Sequence, residues 1–207
     1  MSTGILGKKI GMTSVFESDG RLVPVTIVQA GPCVITQIKN IKTDGYEALQ
    51  LGFGEVDMKK MNKPESGHFE KSGDKGFSTL REFRVENTED YELGQVIDLS
   101  MFKVGDKIVL SGISKGRGFQ GTVKRHGFAR GPETHGCRNH RKPGSIGQSA
   151  WPARVIKGKR MPGRMGNDRI TVKNLKVVDI KSEENIILIK GAVPGSKTGI
   201  VELKKVD

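Results

Sequence analysis

The sequence has only two cysteines, Cys33 and Cys137, in unlike surroundings, so no disulfide framework is available and a reducing compartment is predicted. No window holds the roughly 18 consecutive apolar residues of a membrane-spanning helix. The opening Met1–Lys9 has no apolar run of the length a secretory signal needs, so a soluble cytoplasmic chain without a membrane partner is expected. Catalytic groupings are lacking too. There is no nucleophile elbow, no paired-carboxylate setting and no Ser-His-Asp arrangement, which argues against an enzyme, and nothing in the sequence calls for a cofactor.

The most telling shortage is local. Between Lys115 and Arg169 there are two acids, Glu133 and Asp168, against fourteen Lys and Arg. The whole net charge of +12 therefore lies in this stretch, while the other residues carry twenty-one charges of each sign. Fourteen cations would repel one another on a free surface, so the stretch predicts a polyanionic partner. It holds eleven glycines and four prolines, and its few large apolar residues follow no period of 2 or 3.6. A segment of that kind cannot offset its chain entropy by burial, and it is expected to be irregular unless RNA supplies the missing contacts. Glycine lets backbone approach phosphate and ribose closely.

The rest of the chain reads as β-rich. Val25–Val28 and Cys33–Ile38 are extended runs separated by the turn signal Gly31-Pro32. Ala48–Phe53, Lys107–Leu110, Ile170–Val172, Leu175–Ile180, Asn185–Lys190 and Ile200–Leu203 continue the pattern. Short strands at such spacing predict a barrel or sandwich. Residues 54–95 are polar, broken at Pro64 and partly helix-compatible, and they predict a small mixed lobe with His68 solvated. The expected organisation is a discontinuous body, 1–114 and 170–207, carrying the lobe 54–95, with the basic segment 115–169 inserted between strands.

Each motif has a plainer reading. Gly116, Gly118 and Gly121 match a dinucleotide-binding spacing, but the βαβ context that motif requires is absent. His135, Cys137 and His140 have metal-like spacing, yet they lack a fourth ligand and stand among Arg138, Arg141 and Lys142, so RNA contact is preferred to zinc. Trp151 has no core to join, so base stacking is expected, against the alternative of a pin for the loop's own fold. The candidate RNA-binding residues are Lys115, Arg117, Lys124, Arg125, Arg130, His135, Arg138, His140, Arg141, Lys142, Gln148, Trp151, Arg154, Lys157, Lys159, Arg160, Arg164 and Arg169.

Several runs also resemble one known family. Lys107–Arg125, with its Ser114-Lys115-Gly116-Arg117-Gly118-Phe119-Gln120-Gly121 centre, is similar to the signature of the universal large-subunit ribosomal protein L-three family. Gly4–Thr13, Thr134–Gly136, Pro143–Gln148, Lys159–Gly166 and Lys190–Gly195 resemble other parts of that family. Val109 departs from it, standing where relatives often carry Asp or Asn, and it is expected at a barrel edge. The resemblance implies a six-stranded antiparallel closed β-barrel with a long extension threading large-subunit rRNA toward the peptidyl-transferase centre. It implies a non-catalytic role in early subunit assembly, with neighbouring ribosomal proteins as further partners. It makes Gln148 a candidate for N5-methylation by a glutamine methyltransferase, and the chain's length suggests a bacterial type. A free-standing RNA chaperone is the competing reading, and an RNA-acting enzyme the third.

Overall fold

Alternating Val, Ile and Leu runs form strands because branched side chains suit a pleated, half-buried surface. The computed structural model describes residues 4–17, 19–73 and 75–206. Along the chain these are β1 (Gly4–Phe16), β2 (Leu22–Ala30), β3 (Cys33–Lys39), α1 (Ile41–Asp44), β4 (Ala48–Val56), α2 (Lys63–Phe69), β5 (Gly76–Arg84) and β6 (Val96–Ile97). There follow β7 (Lys107–Ile113), β8 (Phe119–Gln120), α3 (Thr122–His126), β9 (Gly163–Arg164), β10 (Arg169–Lys181), β11 (Ile186–Lys190) and β12 (Ile200–Lys205). The protein is mainly β. Its contacts divide it into two units, one made of the residues up to Ile113 and from Arg169 onward, the other Ser114–Asp168.

The first unit holds two sheets. In the larger, six strands pair antiparallel in the order β1-β12-β7-β10-β11-β2, and β2 pairs back onto β1. Every one of these strands therefore has a neighbour on each side. The register sets Leu203 opposite both Ile5 and Leu110, and Ile187 opposite Val28. These residues, with Leu6, Ile108 and Ile189, are fully buried, and each such side chain contributes about 1.5–3 kcal/mol by leaving water. The second sheet has the order β5-β4-β3-β6. Its Ile35, Leu49, Leu51 and Phe83 join the same hydrophobic core.

This arrangement corrects several expectations. Cys33–Ile38 and Ala48–Phe53 are strands, but they belong to the second sheet and not to the larger one. The chain passes between the sheets at Gly31, whose φ of 73° lies in the left-handed region. The second sheet runs from Cys33 in β3 to Ile97 in β6. The first strand of the larger sheet is β1, unmarked in the sequence by any β-branched run. Ile170–Val172 and Leu175–Ile180 are one strand, β10, with a bulge at Asn174 (φ 59°) that shifts the register between Val172 and Leu175. Val109 is at no edge, since β7 lies between β12 and β10. His68 is half-buried, and its Nε2 donates to Gln50 Oε1 at 2.7 Å, an oxygen that also accepts from Thr36 Oγ1 at 2.8 Å.

One buried cation organises the larger sheet. Lys9 lies in β1, and its Nζ donates to Val193 O at 2.6 Å and Gly195 O at 3.3 Å. Its backbone also bonds Gly199 and Thr198. The loop between β11 and β12 is thereby tied to β1 from both main chain and side chain.

Candidate nucleic-acid interface

The unit Ser114–Asp168 begins and ends on itself. Ser114 N donates to Asp168 O at 2.9 Å, and Asn167 N donates to Ser114 O at 3.2 Å. Next, β8 and β9 pair antiparallel. The helix α3 stops at Gly127, left-handed at φ 70°, whose N–H bonds the carbonyls of Thr122 and Val123. Lys124, Arg125 and His126 occupy its last turn, the end where the helix dipole favours cations. Two of them reach across the unit to one atom. Arg125 Nη1 donates to Met161 O at 2.7 Å, and His126 Nε2 donates to it at 3.0 Å. The stretch expected to be irregular therefore contains three short elements and a staple between residues 36 positions apart.

Most of the predicted contact residues face solvent. Lys115, Arg117, Lys124, Arg130, Arg138, Arg141, Lys142, Arg154, Lys157, Lys159, Arg160 and Arg164 are exposed, as are His135, His140, Gln148 and Trp151. Thirteen cations meet two carboxylates in this unit. Glu133 approaches Arg130 at 3.5 Å, an exposed pair with little energy in it. Two of the predicted residues stand apart. Arg125 is half-buried in the Met161 staple. Arg169 belongs to β10, in the other unit, where its guanidinium is engaged by Glu202, a carboxylate that also lies 3.4 Å from Arg81. His140 Nδ1 donates to Pro132 O at 2.9 Å, which fixes its ring. No cluster of three or more His, Cys, Asp or Glu suited to a metal is found among the described residues.

Gln148 and Trp151 share a groove of about 440 Å³, which Ile146, Pro152, Arg154, Ile156 and Lys159 also line. Trp151 is 83% exposed and so pins no local core. A flat ring beside an amide, a guanidinium and an ammonium offers stacking, base-edge hydrogen bonding and phosphate contact together. Sequence reasoning missed two residues of the unit. His126 acts inside it through Met161. Phe119 stands 77% exposed on β8, and its only sequence signal is an aromatic between glycine-rich turns in a cationic stretch.

The family model described as Ribosomal protein L3 matches residues 71–185. The chain belongs to the ribosomal protein L3 family. It is similar over 205 residues, at 67% identity, to the large ribosomal subunit protein uL3 of Desulforapulum autotrophicum, covering 99% of each chain. The uL3 of Desulfosudis oleivorans is 59% identical over 207 residues and the full length of both chains. That of Carboxydothermus hydrogenoformans is 52% identical over 205 residues, covering 99% of this chain and 98% of its own. The L3 family is one of ribosomal proteins, so this chain is a structural protein of the ribosome and not an enzyme. The motif Lys107–Arg125 and those from Thr134 to Gly166 lie inside the matched stretch, and the relatives extend the match to nearly the whole chain.

Proposed function

We propose that this L3-family chain is a constituent of the cytoplasmic large ribosomal subunit that binds large-subunit rRNA directly through residues 115–169. In this reading the body, 1–114 and 170–207, is a folded platform whose six strands form a closed antiparallel barrel, and the pairing of β2 back onto β1 supports that shape. The basic segment enters the RNA, nucleates early assembly and supports the region around the peptidyl-transferase centre. Its exposed Lys and Arg neutralise phosphates, Trp151 stacks on a base, and Gln148, open beside it, is the residue a glutamine methyltransferase would modify. Neighbouring large-subunit proteins are its other partners.

The observation that carries this reading is the segregation of charge. Almost all the net positive charge lies in one compact unit, whose thirteen cations meet only two carboxylates and nearly all face solvent. Such a unit is complementary to a polyanion, and the glycine-rich backbone lets it approach RNA closely. Sucrose-gradient fractionation of cell extract tests the placement. Stoichiometric co-migration with large subunits is expected. A broad distribution over all RNA-containing fractions would favour a non-specific RNA chaperone instead.

A further inference from the structure

Successive residues of a strand point to opposite faces, and residues directly opposite in an antiparallel pair share a face. In the β8–β9 ladder Phe119 is opposite Arg164, and Gln120 is opposite Gly163. The Gln120–Gly163 face is closed. A Cβ on Gly163 would stand 2.7 Å from Arg125 Nη1, the guanidinium that bonds Met161 O. The Gln120 amide is likewise turned back, donating to Arg117 O. On the other face Phe119 is 77% exposed and Arg164 is exposed beside it.

That choice of faces runs against core formation. A one-residue shift would exchange the faces, burying the phenyl ring and exposing the amide. The register is nevertheless locked, because Arg117 N donates to Met165 O at 2.9 Å and Met165 N donates to Gly118 O at 3.0 Å. Gly118 supplies the positive φ, 65°, that this turn needs. Val123, Phe128, Met161 and Met165 are at least partly covered, whereas Phe119, like Ile146, Trp151, Val155 and Ile156, is exposed.

We propose that Phe119 and Arg164 form a second nucleobase platform, on which an unpaired RNA base stacks against the phenyl ring while Arg164 meets an adjoining phosphate. The inference rests on the rRNA-binding reading above. Each RNA nucleotide joins a base with a π-face to a backbone phosphate, so ring and guanidinium side by side complement both parts. An apolar side chain of another protein would fit the ring as well, but thirteen cations against two acids in this unit favour a polyanion.

The test measures binding of the full-length chain to a large-subunit rRNA transcript across a salt series, with an unrelated RNA of equal length as control. Phe119→Ala should weaken binding to the rRNA roughly 5- to 150-fold, the loss expected for one stacked base, with the salt slope unchanged. Phe119→Trp should retain affinity, and Phe119→Leu should lose it as Ala does. Arg164→Gln should lower the slope by about 0.7–0.9. Wild-type affinity in Phe119→Ala, full affinity in Phe119→Leu, or a melting temperature several degrees lower in Phe119→Ala would each overturn the platform. The last two outcomes would mean a merely apolar contact and a structural role. If the wild-type chain does not prefer the rRNA transcript to the control RNA, the rRNA reading itself fails, a result distinct from these.

Discussion

Single side chains divide cleanly between holding the fold and waiting for a partner. Lys9 holds it. Replacing it with Met keeps the apolar stem but leaves the carbonyls of Val193 and Gly195 without this donor. The expected cost is about 1–3 kcal/mol, read as a fall in melting temperature of roughly 2–4 °C per kcal/mol. An unchanged melting temperature would show that other donors satisfy the loop equally well. Cys33 is fully buried, and burial pushes its thiol up to about 12. A thiol reagent at pH 8 should therefore label half-buried Cys137 in the native protein and both cysteines in denaturant. The unfolded thiol titrates near 8.5. Above that pH the unfolded chain releases a proton that the folded chain keeps, so this contribution to stability is intact below about 8.5 and is lost as pH rises toward 12. Trp151 stands exposed, and in the proposed reading it stacks on a base. Trp151→Ala should leave the melting temperature unchanged and weaken rRNA binding by about 1–3 kcal/mol; a drop of several degrees would make it a structural residue.

Among the elements, the junction of the two chain segments is the most open to experiment. Ile113 and Arg169 are directly opposite in the β7–β10 ladder, and Gly112 faces Ile170. Two antiparallel strands in that register can be joined by a short turn. Replacing Ser114–Asp168 by an Asn-Gly turn should preserve a cooperative thermal transition within a few degrees of the parent, whereas loss of cooperativity would make the basic unit part of the folding core. The same scale shows what the sequence revealed. Strands β2, β7, β10, β11 and β12 were legible because they hold short runs rich in Val, Ile and Leu, continuous in β11 and alternating in β12. The partnership of β3 and β4 was not, since period 2 is the same whichever sheet a strand joins. Strand β1 was hidden by its glycines. A Cβ at Gly4 would overlap the Phe83 ring, and one at Gly7 would come within 2.8 Å of Gln29 O, so packing demands the residue that strand propensity disfavours. In the basic unit the charge was plain, but a two-residue ladder has no period. The inward turn of Arg125 and the outward turn of Phe119 therefore emerged only from the register.

For the whole molecule, the asymmetry of charge predicts how binding responds to salt. If about half of the fourteen basic side chains from 115 to 169 touch phosphate, log K for an rRNA fragment should fall against log[salt] with a slope of about −5 to −6. Changing Lys157, Lys159 and Arg160 to Gln should reduce that slope by about 2. Changing Lys173, Lys176 and Lys181, all exposed on β10, should alter it much less. Equal losses would mean that the charge-balanced body binds RNA as strongly as the basic unit. The order of the strands also has a consequence for biosynthesis. The first strand, β1, takes as one of its two neighbours the last, β12, and β7 waits for both β10 and β12. At roughly 5–20 residues per second, the nascent polycation is complete for seconds before the strands that finish the larger sheet exist. A cell making this protein thus holds, in each round of synthesis, a strongly cationic chain on an unfinished scaffold. Early capture by RNA or by a shielding chaperone would protect it from straying to the wrong nucleic acid.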